Sequence, residues 1–426
     1  VVIPHPPTDL ERTVLKSVDV TGILNDLREL VAIPSVGGTS GEQQAQQWCA
    51  DRMEALGARV DHWRIDVDEL AAQDDFPGQE VERDTAHGCV GVLGADGEPA
   101  LALCGHTDVV PPGDLDRWPD RDPYSLRVAG GVASGRGTCD MKGGVAAVFG
   151  ALEALRACEV RLRHPLAVHA VPAEEDGGIG AFATLRRGHR AQACVLAEPS
   201  SGTVVAANGG SLTFRLEVPG HGTHGATRTR GVDAGEKLAA LLPVLRELES
   251  SRNTDPDPLM KHLDVPYPLS IGMVRAGDWA STVPDLAVAE GRYGVRLGED
   301  VAAAKAEFTE VVARACAADP WLAEHPVRVS WPGGTFASGQ LPAGHPLLDQ
   351  TRDAAEAAGA PRPEALGAPY GTDLRHYAAA GVPTLQYGPG DVRHAHAHDE
   401  HVEVADLEQA ARTYALLAMR RCGVVE

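Results

Sequence analysis

Two hydrophobic periods alternate along the first half of the chain. A helical spacing runs from Ser40, a side chain suited to an N-cap, through Leu56, with Gly57 as its stop. Apolar strand runs follow at Cys89 to Leu93 and Leu101 to Cys104. Next come an Ala-rich helix from Gly143 to Ala157, a buried strand from Leu166 to Val171, a helix from Ile179 to Arg187 and a strand from Ala193 to Ala197. Alternation of this kind predicts an open, mostly parallel α/β sheet.

From about Ala207 the pattern changes. Longer alternating strands at Leu212 to Val218, Leu269 to Val274 and Leu286 to Val295 combine with helices at Ala234 to Leu248 and Val301 to Ala317. This β-α-β-β-α-β order is the ferredoxin-like arrangement. After about Ala337 the first pattern resumes, with a helix from His345 to Ala358, a short one from Arg375 to Ala380, a strand from Pro383 to Tyr387 and a closing helix from Ala405 to Arg421. The expected architecture is therefore a discontinuous α/β domain, residues 1–206 and 339–426, interrupted by an inserted α+β domain, residues 207–338. A length of 426 residues agrees with two cores rather than one.

Composition narrows the function classes. Hydrophobic residues at 43% and charged residues at 23% are those of a soluble globular protein. No apolar run approaches the roughly 20 residues of a membrane span, and the start at Val1-Val2-Ile3-Pro4 lacks a basic flank before an apolar core, so a cytoplasmic location is expected. A formal net charge of -22 repels phosphate backbones and argues against nucleic acid as a partner. The eight cysteines are scattered without CxxC pairs, which fits buried free thiols better than disulfides or a cysteine metal site.

Metal-capable side chains fall immediately after predicted strands: His106 with Asp108, Glu174 with Glu175, Glu198, and His396. Asp140 precedes the Gly143 helix at the same kind of edge. Taken singly, a His-x-Asp is a surface polar pair, a Glu-Glu-Asp run a solvated acidic turn, and the His394 to His401 run a loose chelating surface. Their shared placement matters more, because the carboxyl ends of strands in an open α/β sheet converge where ligands bind. Three carboxylates and two imidazoles suit Zn²⁺ or a related divalent metal, and serve two ions if one carboxylate bridges. Paired ions about 3.5 to 4 Å apart acidify a water and clamp a carbonyl oxygen, which is chemistry for amide hydrolysis.

Six stretches in order carry a resemblance: Gly105-His106-Thr107-Asp108-Val109-Val110-Pro111, Gly135-Arg136-Gly137-Thr138-Cys139-Asp140-Met141-Lys142-Gly143, Glu174-Glu175-Asp176-Gly177, Ala197-Glu198-Pro199, Gly371-Thr372-Asp373-Leu374-Arg375 and Ala395-His396-Ala397-His398-Asp399-Glu400. With these the chain resembles the M20 metallopeptidases, the group of acetylornithine deacetylase, succinyl-diaminopimelate desuccinylase, aminoacylase and glutamate carboxypeptidase. The resemblance implies two divalent ions per subunit, zinc first and Co²⁺ or Mn²⁺ as substitutes. It implies that Asp140 bridges them, that Glu175 and His396 complete one site, and that His106 and Glu198 complete the other. Asp108 would orient the His106 imidazole, and Glu174 would be the general base and then the acid. A cis peptide is expected at Asp140-Met141.

The inserted domain extends the likeness. Gly220-His221-Gly222-Thr223-His224-Gly225 followed by Gly231-Val232-Asp233-Ala234 resembles the family's lid segment, whose histidine reaches across a homodimer to polarise the substrate carbonyl; by position it is His224, with His221 as fallback. Where many members carry Asn before the lid's Val-Pro, this chain has Ser281-Thr282-Val283-Pro284. Arg292, Arg296 and Arg375 compete for the substrate carboxylate. Glu rather than Asp at Glu198 is associated with deacylases and carboxypeptidases, so the resemblance implies an N-acyl-L-amino-acid deacylase. A carboxypeptidase or dipeptidase acting on a short peptide is the near alternative. A catalytically silent, metal-stabilised binding protein is the remote one, for which Glu174 and Asp108 would serve no purpose.

Overall fold

The computed structural model describes residues 6–83 and 85–425, so the Val1 to His5 start lies outside the described residues. Two compact units emerge. One comprises the chain up to Ala206, Gln340–Leu366 and the stretch from Thr372 onward; the other comprises Ala207–Gly339 with Gly367–Gly371.

The first unit is built on a nine-stranded sheet whose order is Arg59–Ile65, Ala86–Leu93, Leu166–Val171, Leu101–His106, Cys194–Leu196, Thr384–Gln386, Val204–Asn208 and Gly339–Gln340, with Ala365–Ala368 joining Val204–Asn208. Its middle four strands run parallel, whereas Ala86–Leu93 pairs antiparallel with Leu166–Val171 and with Arg59–Ile65, and Val204–Asn208 pairs antiparallel with Thr384–Gln386. Every residue of Leu101–His106 and of Leu166–Val171 is buried, as helices on both faces require. Ala102 and Cys104 pack toward the helices Ile179–Arg186 and Leu374–Ala379. On the opposite face a Cβ at Gly105 would meet Val145 and Met141, at the start of the helix Lys142–Ala157. That helix packs in turn on Val404–Cys422 and Val20–Val31.

Most element boundaries expected from the hydrophobic pattern lie within a few residues of those observed. The first cap is an exception, since the helix Ser40–Ala55 is capped by Thr39, whose hydroxyl accepts from the Gly41 N–H, and not by Ser40. All eight cysteines are free, and all but Cys158 are buried.

The second unit has a five-stranded sheet, ordered Leu269–Ala276, Leu286–Val295, Gly210–Pro219, Arg328–Ser330, with Thr335–Phe336 also on Gly210–Pro219. All its pairings are antiparallel. Along Gly210–Pro219 burial alternates strictly, and Leu212, Phe214, Leu216 and Val218 pack against Leu238, Leu241 and Leu245 of Ala234–Arg252 and Phe308 and Val312 of Val301–Ala318. The strand order and the helices on one face are those of the ferredoxin-like arrangement.

Candidate metal centre

The parallel strands of the first unit end together. Leu101–His106 delivers His106 and Asp108, Leu166–Val171 leads into Glu174 and Glu175, and Cys194–Leu196 is followed by Glu198. Asp140 sits just before the helix Lys142–Ala157, after a cis Asp140–Met141 bond. The fifth element is a small antiparallel sheet in which His401–Glu403 pairs with Val132–Ser134, His401 opposite Ser134. This pairing carries the loop holding His396 to the loop holding Asp140.

The donor atoms converge. His106 Nε2 lies 3.1 Å from Asp140 Oδ1 and 3.9 Å from Glu198 Oε2. His396 Nε2 lies 3.3 Å from Asp140 Oδ2 and 3.1 Å from Glu175 Oε1. Asp140 thus presents one oxygen to each imidazole. Two sets have all their donor atoms within 4.8 Å of one another: His106, Asp140 and Glu175, and His106, Glu174 and Glu198. Distance alone therefore does not separate Glu174, expected to move protons, from the ligands around it.

Supporting contacts fix the aim of these groups. His106 Nδ1 is 3.0 Å from the Asp108 carbonyl oxygen and 3.5 Å from its carboxylate, which puts the ring proton on Nδ1 and leaves Nε2 to face the other donors. The Asp108 carboxylate accepts the Glu174 N–H at 3.2 Å and the Glu175 N–H at 3.1 Å, so one side chain orients both the histidine and the glutamate loop. Glu400 accepts from the N–H groups of Cys139 and Asp140 at 3.0 and 3.1 Å, and pairs at 2.6 Å with Arg136, which lies over the Trp118 ring. His396 adopts a left-handed backbone, φ 61°, uncommon outside glycine and concentrated at functional sites.

The electrostatics are those of crowded carboxyls. Burial, with Asp373 and Glu198 nearby, holds the Glu174 carboxyl well above its usual range, and burial raises Glu198 and Glu175 as well. Against the cost of burial, His106 and His396 hold Asp140 below the carboxylate range. Asp140 and Glu175 push the His396 imidazole up to about 11. A buried carboxylate ordinarily carries a Lys or Arg partner. Among the described residues, the ion pairs of Asp140, Glu175 and Glu198 are with histidine alone, and buried Glu174 Oε1 has no hydrogen-bond partner. Oxygen and imidazole donors with this excess of negative charge fit divalent cations such as zinc, cobalt or manganese.

The remaining candidates are not among these donors. His224, in the second unit, is exposed and caps a short 3₁₀ turn, its Nδ1 accepting from the Ala226 N–H at 3.0 Å; His221 forms a backbone bridge with Val232. Arg292 donates to Ser211 Oγ at 2.7 Å and to the Pro369 carbonyl, whereas Arg296 pairs with Glu307 at 3.4 Å. Arg375 is buried, and donates to the carbonyls of Thr372 and Gly177 at 2.8 Å each. Asp373, overlooked as a site residue although its motif was legible, is buried with Oδ1 unpartnered and is pushed up to about 7 by burial. Glu400 stands in the sequence only as the end of the stretch that carries His396, and nothing in its spacing announces that it holds Asp140.

Against known proteins, a profile of peptidase family M20/M25/M40 matches residues 102–420. The succinyl-diaminopimelate desuccinylase of Stenotrophomonas maltophilia is 30% identical over 416 residues, 94% of this chain and 99% of that protein. The N-formyl-4-amino-5-aminomethyl-2-methylpyrimidine deformylase of Halalkalibacterium halodurans is 27% identical over 416 residues, 91% of each chain. Among solved structures, a tripeptidase from Staphylococcus aureus superposes with a TM-score of 0.73 at 18% identity, covering 95% of this chain and 99% of that one.

Proposed function

The chain belongs to peptidase family M20/M25/M40 and is a metal-dependent hydrolase of amide bonds; on that premise we propose that its substrate is an N-acyl-L-amino acid, cleaved to the free amino acid and a carboxylate. The observation that carries the reading is Glu174, a buried carboxyl with an unpartnered oxygen set beside His106 and Glu198. His106 and Glu198 would hold one cation and Glu175 and His396 the other, with Asp140 shared between them. When bound, such cations, zinc first, supply Lewis acidity toward the carbonyl and acidify water. Glu174 takes the proton of the attacking water on its free oxygen and returns it to the departing amine. Asp108 keeps His106 in the Nδ1–H tautomer throughout.

The second unit serves as lid and dimerisation domain of a homodimer in the cytoplasm. Its sheet ends on the edge strand Leu269–Ala276, and exposed Met273 and Val274 on that strand, with Trp279 beyond it at 73% exposure, offer an apolar surface to a second copy. In His224 the Ala226 N–H occupies Nδ1, so the neutral ring carries its proton on Nε2, the donor needed to polarise a substrate carbonyl. Arg292 is the lid cation that receives the substrate carboxylate.

The test is a panel of N-acetyl, N-succinyl, N-formyl and N-carbamoyl amino acids plus dipeptides, offered to zinc-, cobalt- and manganese-loaded enzyme. Release of the acyl acid from one acylated amino acid is expected; two amino acids from a dipeptide, with the acyl series untouched, would establish a peptidase instead.

A further inference from the structure

The loop bearing Glu174 and Glu175 is held from two sides. Asp108 takes the backbone N–H groups of both glutamates on one side. On the other, the Arg83 guanidinium forms a double fork: Nη1 and Nη2 donate to Asp176 Oδ2 and Oδ1 at 2.6 and 2.8 Å, while Nε and Nη2 donate to Glu42 Oε2 and Oε1 at 3.1 and 3.0 Å. Nε also reaches Glu42 Oε1 at 3.3 Å, and Nη1 donates to the Val81 carbonyl at 3.2 Å. The three side chains are 1%, 7% and 5% exposed for Arg83, Asp176 and Glu42. None of these groups belongs to the proposed cation set.

Further contacts turn the fork into a strap. Asp176 Oδ2 accepts the Val81 N–H at 3.0 Å, the Glu80 N–H donates to the Asp176 carbonyl at 3.1 Å, and a Cβ at Gly177 would stand 2.3 Å from the Gly78 carbonyl oxygen. Glu42 belongs to the helix Ser40–Ala55 and accepts the Gly38 N–H at 2.7 Å. The helix and the segment around Arg83 are thereby bolted to the residue two positions after Glu174. A buried carboxylate–arginine–carboxylate triad is often no more stabilising than apolar packing of the same volume, so stability alone does not account for it. Its rigid fork instead fixes directions, which a lysine cannot do.

We propose that Arg83 is a positioning residue for the reaction: through Asp176 it fixes the course of the Glu174–Glu175 backbone and hence the aim of the Glu174 carboxyl. The inference rests on Glu174 being the proton carrier. Displacement of a catalytic group by about 1 Å costs about 10²-fold in rate, and removing the fork releases the loop on the side that Asp108 does not hold.

The experiment compares Arg83→Ala, Asp176→Asn and Glu174→Gln, each zinc-loaded and acting on the N-acyl amino acid that the panel finds fastest. Melting temperature, zinc content, kcat and KM are read for each, with and without added guanidinium. Arg83→Ala and Asp176→Asn are expected to lose about 10²-fold in kcat, with KM within about threefold of wild type and zinc content retained. Free guanidinium is expected to return at least about tenfold of kcat to Arg83→Ala and nothing to Asp176→Asn or Glu174→Gln. Folded variants with wild-type kcat, or a loss that follows zinc content and ignores guanidinium, would overturn the proposal. If Arg83→Ala does not fold, the kcat-against-KM split of Asp176→Asn decides by itself. A Glu174→Gln enzyme that keeps its kcat refutes the proton-carrier reading separately, whereas an inactive Glu174→Gln beside active Arg83 and Asp176 variants refutes only this inference.

Discussion

In the proposed reaction two adjacent glutamates divide the labour of the site, because successive residues point different ways. Glu175 reaches His396, whereas Glu174 is buried with one oxygen unclaimed. Glu174→Ala is therefore expected to lower turnover by at least the about 10² to 10⁴ of a lost general base while leaving the metal content at its wild-type value. Elemental analysis checks it: loss of about one equivalent would mean that Glu174 is a ligand and the roles of the pair are exchanged. Glu400 acts one step further out, since its carboxylate fixes the backbone that presents Asp140. Replacing an outer partner of this kind weakens metal binding about 10- to 100-fold, and Glu400→Gln is expected to do so for both ions, because Asp140 faces both imidazoles. A competition titration with a chelator reads this directly, and weakening confined to one ion would contradict a shared Asp140. At this scale the candidate ligands were legible because His, Asp and Glu after strands are few. Arg83 and the role of Glu400 were not, because their meaning lies in partners distant in sequence.

At the scale of elements, the parallel strands do the gathering. Their buried apolar runs were readable in Leu101 to Cys104 and Leu166 to Val171, since strands covered on both faces lose the alternation of exposed sheets. The small sheet joining His401–Glu403 to Val132–Ser134 was not foreseen: strands of three residues leave too short a pattern. Yet it brings His396 to Asp140. The packing of helix on sheet also buries His169, which hydrogen-bonds Tyr377 Oη at 2.7 Å and is pushed down to about 3 by burial and His189. Unfolded, the same ring titrates near 6.5. Between those values the unfolded chain binds the extra proton, so the stability this neutral histidine contributes is complete above about 6.5 and is lost as pH falls toward about 3. Urea unfolding is expected to show the wild type losing about 2 kcal/mol more than His169→Phe between pH 7.5 and about 5. Parallel losses in the two proteins would show that His169 is not held neutral.

At the scale of the whole molecule, the second unit contains none of the proposed ligands, yet it holds an exposed histidine and an exposed apolar edge. If two copies join through it and His224 acts on the partner's substrate, two inactive proteins should complement. An equal mixture of Glu174→Ala and His224→Ala subunits, allowed to exchange, is expected to recover about a quarter of wild-type activity, since half the dimers are mixed and each holds one site with both residues intact. Verified heterodimers without activity would place His224 in its own chain's site or in none. By itself the sequence determined the two architectures, through hydrophobic periods that any pairing of the strands must respect, and it supplied the short list of histidines and carboxylates capable of binding cations. Only the tertiary structure decided which of them meet: donors from Leu101–His106, the Asp140 loop, the glutamate loop and the His396 loop lie up to 290 residues apart, from His106 to His396, and what joins them is strand order and a chance to share one edge. It also decided what holds them still, because hydrogen bonds such as Glu400 to Asp140 or Arg83 to Asp176 depend on distance and angle, and neither is written in the spacing of residues along a chain.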